Sequence, residues 1–213
     1  YGHTTDFQNT VFRYNRVHDV LDKKNGKGIY FDHVAMNAIV HHNAIWNTSA
    51  CPIKANNPSY FILVFQNTAW NTVGISTFDH SRRNDLYGSR FYNNIVNEPF
   101  RLPSHVFLAG NLAETDPGFA DPQNGRFELK PSVSAVPGLV PLGGLTGVST
   151  PYLGAFAPGK PAWKAGHDFS KEAPQVGWAP VDVPYMNLVK NSCFEYGLDY
   201  WVPTGGTVKT ARG

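Results

Sequence analysis

The sequence Asn-Ala-Ile-Val-His-His-Asn-Ala-Ile-Trp-Asn, from Asn37 to Asn47, decides the fold because degenerate copies of it recur along the chain. Each copy is a short apolar run closed by an asparagine, and these asparagines are Asn15, Asn43, Asn67 and Asn94. They recur with a period of about 24 to 28 residues, which is typical of solenoid proteins that stack short structural units. The copies are therefore predicted to be rungs of one coil.

Apolar residues keep a fixed offset from each asparagine, and we expect them to point inward. Three places before the asparagines stand Phe12, Val40, Val64 and Phe91, and two places after them stand Val17, Ile45, Ala69 and Val96. A second short segment follows in each period, as in Gly28-Ile29-Tyr30-Phe31-Asp32, and its alternation predicts a strand. Coils of this size bury their apolar side chains only by stacking on like coils, about 4.8 Å apart.

The asparagine that recurs at one corner of every rung has a physical reason. Asparagine tolerates the left-handed backbone conformation that a sharp corner needs, and its amide can bond to the asparagine of the next rung. We therefore predict an all-β fold, a right-handed parallel β-helix. A leucine-rich repeat would show leucines at fixed offsets, which this chain lacks. A β-sandwich with regularly spaced turns stays open as the alternative.

The composition favours strands and turns, with 14% aromatic residues, only 16% charged residues, 20 glycines and 16 prolines. A net charge of +2 gives no argument for a nucleic-acid partner. No apolar run reaches the roughly 18 residues that a membrane-spanning helix needs. Cys51 and Cys193 lie far apart in the sequence and in the proposed coil, so we do not expect them to form a disulfide.

Two segments after the rungs carry a resemblance to a known group of proteins. Residues 116–132 read Asp-Pro-Gly-Phe-Ala-Asp-Pro-Gln-Asn-Gly-Arg-Phe-Glu-Leu-Lys-Pro-Ser, and residues 152–156 read Tyr-Leu-Gly-Ala-Phe. They closely resemble the segments with which many bacterial β-helix carbohydrate-active enzymes finish their coil. The rungs look like those of the polysaccharide lyase and β-helix glycoside hydrolase families. The resemblance covers residues 7 to 157 and specifies the fold better than the reaction.

The chain divides into three regions by composition. Residues 1–157 are predicted to be β-helix rungs, and residues 158–186, rich in proline and glycine, a linker or a segment strapped along the solenoid. Residues 187–213 are similar to the opening strand of carbohydrate-binding β-sandwich modules. We expect a piece of a longer protein, with more rungs before it and the rest of the module after it. The resemblance implies a bacterial protein that is secreted, periplasmic or on the cell surface.

Outward positions of successive rungs should form columns that can bind a polysaccharide. The predicted catalytic residues in these columns are Asp32, Lys54, His41 and Tyr30, and the predicted substrate-binding residues are Arg101, Arg82, Arg83, Phe65, Tyr92 and Arg13. His41 and His42 are adjacent in a strand and should face opposite ways, so no metal site is predicted there. No cofactor is firmly predicted, and calcium stays open as a ligand for an anionic sugar site.

Two reactions fit these columns, and the resemblance favours glycoside hydrolysis over polysaccharide lysis. A hydrolase needs two carboxyl groups about 5 to 10 Å apart. Asp32 has no acidic neighbour in its column, and Asp19, Asp79 and Asp85 fall in turns or loops. A lyase instead needs a base and a cation beside a uronate. Lys54, Arg101 and Tyr30, with the arginines at 82 and 83, would suit such an anionic chain. A non-catalytic binding or adhesive β-helix is the third reading.

Overall fold

The computed structural model describes residues 1–22, 25–56, 58–72, 86–100, 102–130, 137–142, 150–163 and 165. The chain divides into two units, and all of these residues belong to the first, Tyr1–Asp168. The predicted β-sandwich region, residues 187–213, lies outside the described residues, as does most of the predicted linker at 158–186.

The described residues form sixteen short strands and one 3₁₀ turn. In chain order the strands are β1 (Gly2–His3), β2 (Asp6–Arg13), β3 (Arg16–Val20), β4 (Ile29–Asp32), β5 (Ala35–His41), β6 (Ala44–Thr48), β7 (Ile53–Ala55), β8 (Ser59–Tyr60), β9 (Leu63–Phe65), β10 (Thr68–Trp70), β11 (Arg90–Tyr92), β12 (Ile95–Val96), β13 (Phe107–Ala109), β14 (Leu112–Ala113), β15 (Phe119–Asp121) and β16 (Arg126–Leu129). The 3₁₀ turn, Pro122–Asn124, joins the last two strands.

Three parallel sheets run along the molecule. The first has the order β1-β4-β7, the second β2-β5-β9-β11-β13 with β8 also paired to β5, and the third β3-β6-β10-β12-β14. Consecutive strands of one rung belong to different sheets, except for β8 and β9, which both pair with β5, and every pair within the three sheets is parallel. This arrangement confirms a parallel β-helix and excludes the β-sandwich alternative for these residues.

The inside of the coil is the main hydrophobic core. The residues predicted to point inward are all found there: Val40, Val64, Phe91, Ile45, Ala69 and Val96 are buried, and Phe12 and Val17 are partly buried against the same cluster. Aromatic stacking continues the core toward β1, because the Phe31 ring meets the Phe7 ring at 5.3 Å and the Phe12 ring at 5.4 Å. The fixed apolar offsets in the sequence therefore do mark the interior.

The asparagine ladder exists at the corner between the second and third sheets. Asn43 Nδ2 donates to Asn67 Oδ1 at 2.9 Å, and Asn67 Nδ2 donates to Asn94 Oδ1 at 2.9 Å. Asn15 and Asn111 extend the ladder at its two ends. One detail of the prediction was wrong, because the left-handed residue is the one before each ladder asparagine, as in His42 with φ 53°.

A second apolar layer covers the outer face of the third sheet. The antiparallel hairpin of β15 and β16 packs there, with the Phe127 ring 5.2 Å from the Trp46 ring. Gly154 follows with φ 74°, and a Cβ on it would lie 2.6 Å from Ile95 Cδ1, so only glycine fits. Both segments that resemble the ends of β-helix enzymes therefore lie against the outside of the coil.

Two further sequence predictions concern the membrane and the cysteines. In the part of the chain that the structure describes, no helix is long and apolar enough to cross a membrane. Cys51 is buried, as expected of a core thiol, and Cys193 lies outside the described residues.

Candidate functional site

The outer face of the first sheet carries the predicted column of polar and aromatic residues. Tyr30 in β4 is paired in register with Lys54 in β7, and Asp32 with His3 in β1. Asn56 follows β7 and donates its backbone N–H to the Phe31 carbonyl, which holds it beside Asp32. Lys54 and Asn56 are thus the neighbours that the repeat predicts for Tyr30 and Asp32. Strand β1 is a further neighbour on the other side of β4.

Asp32 is a largely buried carboxylate, 8% exposed, that accepts several hydrogen bonds. Asn56 Nδ2 donates to its Oδ1 at 2.6 Å, the His33 backbone N–H donates to the same oxygen at 3.0 Å, and the Tyr1 hydroxyl donates to Oδ2 at 2.9 Å. Burial opposes ionisation, but these bonds outweigh it and lower the pKa of Asp32 to about 2. Asp32 is therefore ionised at neutral pH.

Tyr30 lies beside Asp32 and is surrounded by another aromatic ring and two cations. The Tyr1 ring is 5.1 Å away, edge-on, and the ammonium groups of Lys27 and Lys54 lie 4.8 and 5.7 Å from the ring centroid of Tyr30. Burial, together with the hydrogen bond and charge of Asp32, raises the pKa of Tyr30 well above its usual value. Tyr30 consequently keeps its proton, and the lysines give this face a positive rim.

These residues border an open groove of about 500 Å³. It is lined by Tyr1, Asn25, Lys27, Gly28, Tyr30 and Asp32.

Comparison with known proteins returned no matching family model, no curated relative and no matching solved structure. The chemistry of the groove itself is therefore the guide to its function.

A possible metal-ligand group adjoins the groove at its Asp32 side. His3, Asp32 and His33 each offer one ligand atom, and these atoms all lie within 4.8 Å of one another. His33 Nε2 is 3.9 Å from Asp32 Oδ1. Among the described residues this is the group of histidine, cysteine and acidic side chains whose geometry could hold a metal ion.

The expectation that His41 faces solvent was wrong. His41 is 4% exposed, and its Nδ1 lies 2.5 Å from Nδ1 of His42. The left-handed corner at His42 turns its ring back toward His41, so strand alternation does not separate the two side chains. His42 Nε2 also bonds to the Tyr152 hydroxyl. Burial lowers the pKa of both histidines to about 4, and the positive charge of Arg13 acts in the same direction.

The other predicted residues of this first-strand column differ in their exposure. Arg13, His41, Phe65 and Tyr92 do occupy one register column across the second sheet. Phe65 is fully buried and stacks on the His41 ring at 4.7 Å, so the prediction of an exposed sugar platform there was wrong. Tyr92 is half-buried and Arg13 exposed, with its guanidinium 5.6 Å from the Tyr14 ring.

Several predicted residues cannot be placed in the site. Arg82, Arg83 and Arg101 lie outside the described residues, as do Asp79 and Asp85. Asp19 belongs to β3 in the third sheet, where its carboxylate bonds to His18 and Asn47 at an outer corner. The structure thus brings together Asp32, Tyr30 and Lys54 from the predicted set.

Sequence reasoning missed Tyr1, His3, Lys27 and His33 as neighbours of Asp32. The two-residue strand β1 is too short to show alternation, although Tyr1 precedes Tyr30 by about one repeat and so stands at the same place in the coil. Lys27 was visible only as part of a charged loop. Its position over the Tyr30 ring depends on how that loop folds back.

Proposed function

We propose that the intact protein binds a polysaccharide along the outer face of the first sheet and cleaves it by hydrolysis, with Asp32 as the ionised carboxylate. The observation that carries this proposal is the setting of Asp32, which is held ionised by hydrogen bonds at the edge of an open groove. A residue that served only to turn the chain would not need side-chain donors from two other rungs, Tyr1 and Asn56, on its carboxylate.

The groove offers the surfaces that a sugar chain needs. Tyr1 and Tyr30 supply apolar ring faces with hydroxyl groups, and Asn25 and Lys27 supply hydrogen-bond donors at the rim. Successive rungs repeat at about 4.8 Å, which is close to the length of one sugar unit along a chain. A polysaccharide lying across the rungs would place consecutive units over consecutive strands.

The charge state of Asp32 defines its part in the reaction. A carboxyl group whose pKa is about 2 is a base or a nucleophile at neutral pH and cannot serve as the proton donor. Hydrolysis also needs an acid about 5 to 10 Å away. Asp79 and Asp85 remain candidates for that role outside the described residues.

β-Elimination on a uronate-containing polysaccharide is the second candidate, and the two lysines at Tyr30 favour it. Their ammonium groups are suited to neutralise a uronate carboxylate, which lowers the cost of transferring the adjacent proton to a base, and the ionised Asp32 carboxylate is the base in this groove. Tyr30 retains its proton and is able to donate it to a departing oxygen. The same groove would then hold an anionic chain.

Cleavage assays with the intact protein test both candidates. Neutral and uronate-containing polysaccharides are incubated with the wild type, and new reducing ends are measured together with the ultraviolet absorbance of unsaturated uronates. Hydrolysis gives reducing ends alone, whereas elimination gives both signals. Asp32→Asn should reduce the rate at least about 100-fold and Lys54→Ala roughly tenfold.

Lys130→Ala is the matched control, because Lys130 is exposed and follows β16, away from the first sheet. It should keep the full rate, and all variants should keep the wild-type circular dichroism. Binding of a polysaccharide without cleavage would support the adhesive reading and refute the enzymatic one. Full activity of Asp32→Asn would place the reaction elsewhere.

A further inference from the structure

Three metal-binding side chains converge at the outer edge of the first sheet. His3 and Asp32 are register neighbours on the adjacent parallel strands β1 and β4, and His33 is the next residue in the chain. Both imidazoles are exposed while the carboxylate between them is largely buried. Their ligand atoms lie within 4.8 Å of one another, so small rotations of the exposed rings are enough to bring them onto one ion.

The backbone after β1 and β4 turns through left-handed residues beside these ligands. Val34 has φ 54°, which is unfavourable for a β-branched residue, and His33 has φ 21°. Thr4 on the neighbouring rung has φ 48°. Left-handed residues of this kind recur at the turns of the coil, as at His42 and Asn93. At this turn His33 Nε2 lies 3.9 Å from Asp32 Oδ1.

Hydrogen bonds hold His3 and Asp32 from behind. The Thr4 hydroxyl bonds to His3 Nδ1 at 2.8 Å, which leaves Nε2 of that ring to bind an ion. Asp32 is oriented by Asn56, Tyr1 and the His33 backbone N–H. Outer partners of this kind, which fix the ring and the carboxylate, are the usual support of metal ligands in proteins.

We propose that His3, Asp32 and His33 bind a divalent transition-metal ion, for which Zn²⁺ is the representative. Two imidazole nitrogens and one carboxylate oxygen, with water in the fourth place, form a typical open zinc site. Calcium prefers six to eight oxygen ligands, so this donor set selects against it. Bonds of about 2.1 Å need ligand atoms about 3.4 Å apart, close to the 3.9 Å between His33 and Asp32.

The metal site goes beyond the proposed cleavage, because Asp32 would bind the ion whether or not the protein cleaves a polysaccharide. A bound ion would occupy the Asp32 carboxylate, so the ion and the proposed base or nucleophile use the same side chain. The binding of the ion does not require any activity. It can therefore be tested on its own.

Isothermal titration of Zn²⁺ into the untagged intact protein tests the proposal, with Co²⁺ absorption as a second readout of coordination. The wild type should bind one Zn²⁺ per chain, and Ca²⁺ should give no saturable heat at the same concentrations. His3→Ala and His33→Ala should each weaken zinc binding at least tenfold. Both residues are exposed, so their removal should leave the circular dichroism unchanged.

His105→Ala is the matched control, since His105 is an exposed histidine that stacks on the Tyr87 ring at 4.5 Å in another part of the coil. It should bind zinc as the wild type does. Absence of saturable zinc binding, or unchanged binding in both histidine variants, would overturn the metal site. A protein that binds zinc as expected but cleaves no polysaccharide would instead refute the proposed function and leave the metal site intact.

Discussion

The asparagine corner and the Asp32 face belong to the same rungs but follow different rules. At the corner, Asn43 and Asn67 make the same bonds, each donating to the next asparagine and to a carbonyl of the preceding rung. On the outer face of the first sheet, the column around Asp32 changes from His3 to Asp32 to Asn56. One column repeats and the other does not.

This contrast separates the side chains that the fold itself requires from those that are available for function. Every rung turns the same corner and buries the same backbone groups, so one residue type satisfies them in each rung. The first sheet pairs its strands through the backbone and demands no particular outward side chain. Side chains that differ from rung to rung on that face are therefore free to serve chemistry, and Asp32 is the most strongly hydrogen-bonded of them.

Asn67→Ala should have the largest effect on stability, because Asn67 is buried at the centre of the ladder. Its amide donates to the Val40 and Phe65 carbonyls and to Asn94, and its oxygen accepts two bonds from Asn43. Each buried group left without a partner costs about 1 to 3 kcal/mol. We expect the free energy of unfolding, measured with a chemical denaturant, to fall by about 4 kcal/mol.

Asn71→Ala provides the matched control on the outside of the same rung. Asn71 is exposed and its side chain donates to Asn47 Oδ1 at 2.7 Å at a solvent-facing corner. We expect a loss below about 1 kcal/mol. Equal losses in the two variants would mean that the buried ladder has no special role, and the comparison would fail.

The sequence alone was sufficient for the repeating part of the molecule. The spacing of the asparagines and the apolar offsets predicted the parallel coil, the inward residues and the pairing of Tyr30 with Lys54, because all of these depend on one periodic pattern. Strand alternation within the first sheet likewise placed Tyr30 and Asp32 on its outer face, as the groove confirms.

The remainder of the site could not be predicted, for two physical reasons. The direction of a side chain at a corner depends on which residue is left-handed. No sequence pattern predicts that the His42 ring turns back onto His41. The burial of that histidine pair depends on Tyr152, a residue far along the chain whose hydroxyl reaches His42. Contacts of such long sequence separation leave no periodic signal.

The buried histidine pair predicts how stability depends on pH. In the unfolded chain His41 and His42 take up protons near pH 6.5, whereas in the folded protein burial delays protonation until about pH 4. The unfolded state therefore binds more protons in this interval, so stability falls as the pH falls from about 6.5 to about 4 and levels off below that. We expect a loss of at most about 3 kcal/mol for each histidine, measured by denaturant unfolding across this range.

His42→Asn isolates this effect. Asn93 occupies the corresponding corner position in another rung with φ 53°, the same value as His42, so asparagine fits this backbone. The variant should lose about half of the pH dependence between pH 6.5 and 4. If stability depends on pH as steeply in the variant as in the wild type, other groups cause the acid sensitivity. Burial of the histidine pair would then not be its cause.

Phe61→Asn should give the smallest change in the free energy of unfolding. The sign of this change shows whether the coil itself requires Phe61. Phe61 is 58% exposed with φ 53°, and it lies beside Asn37, which has φ 57° within the paired strand β5. The left-handed conformation costs a bulky residue about 1 to 2 kcal/mol, and asparagine less. The ring lies against Gly88, where a Cβ would be 2.2 Å from it, so some apolar contact is lost on substitution.

We expect the two effects to leave Phe61→Asn more stable than the wild type by about 0.5 kcal/mol in thermal or denaturant unfolding. Gly88→Asn, which would collide with the Phe61 ring, should be destabilising and serves as the control at the same contact. A clear loss of stability in Phe61→Asn would place Phe61 among the residues that the coil itself requires. Higher stability combined with weaker binding of polysaccharide would instead mean that Phe61, like Asp32, serves a ligand and not the fold.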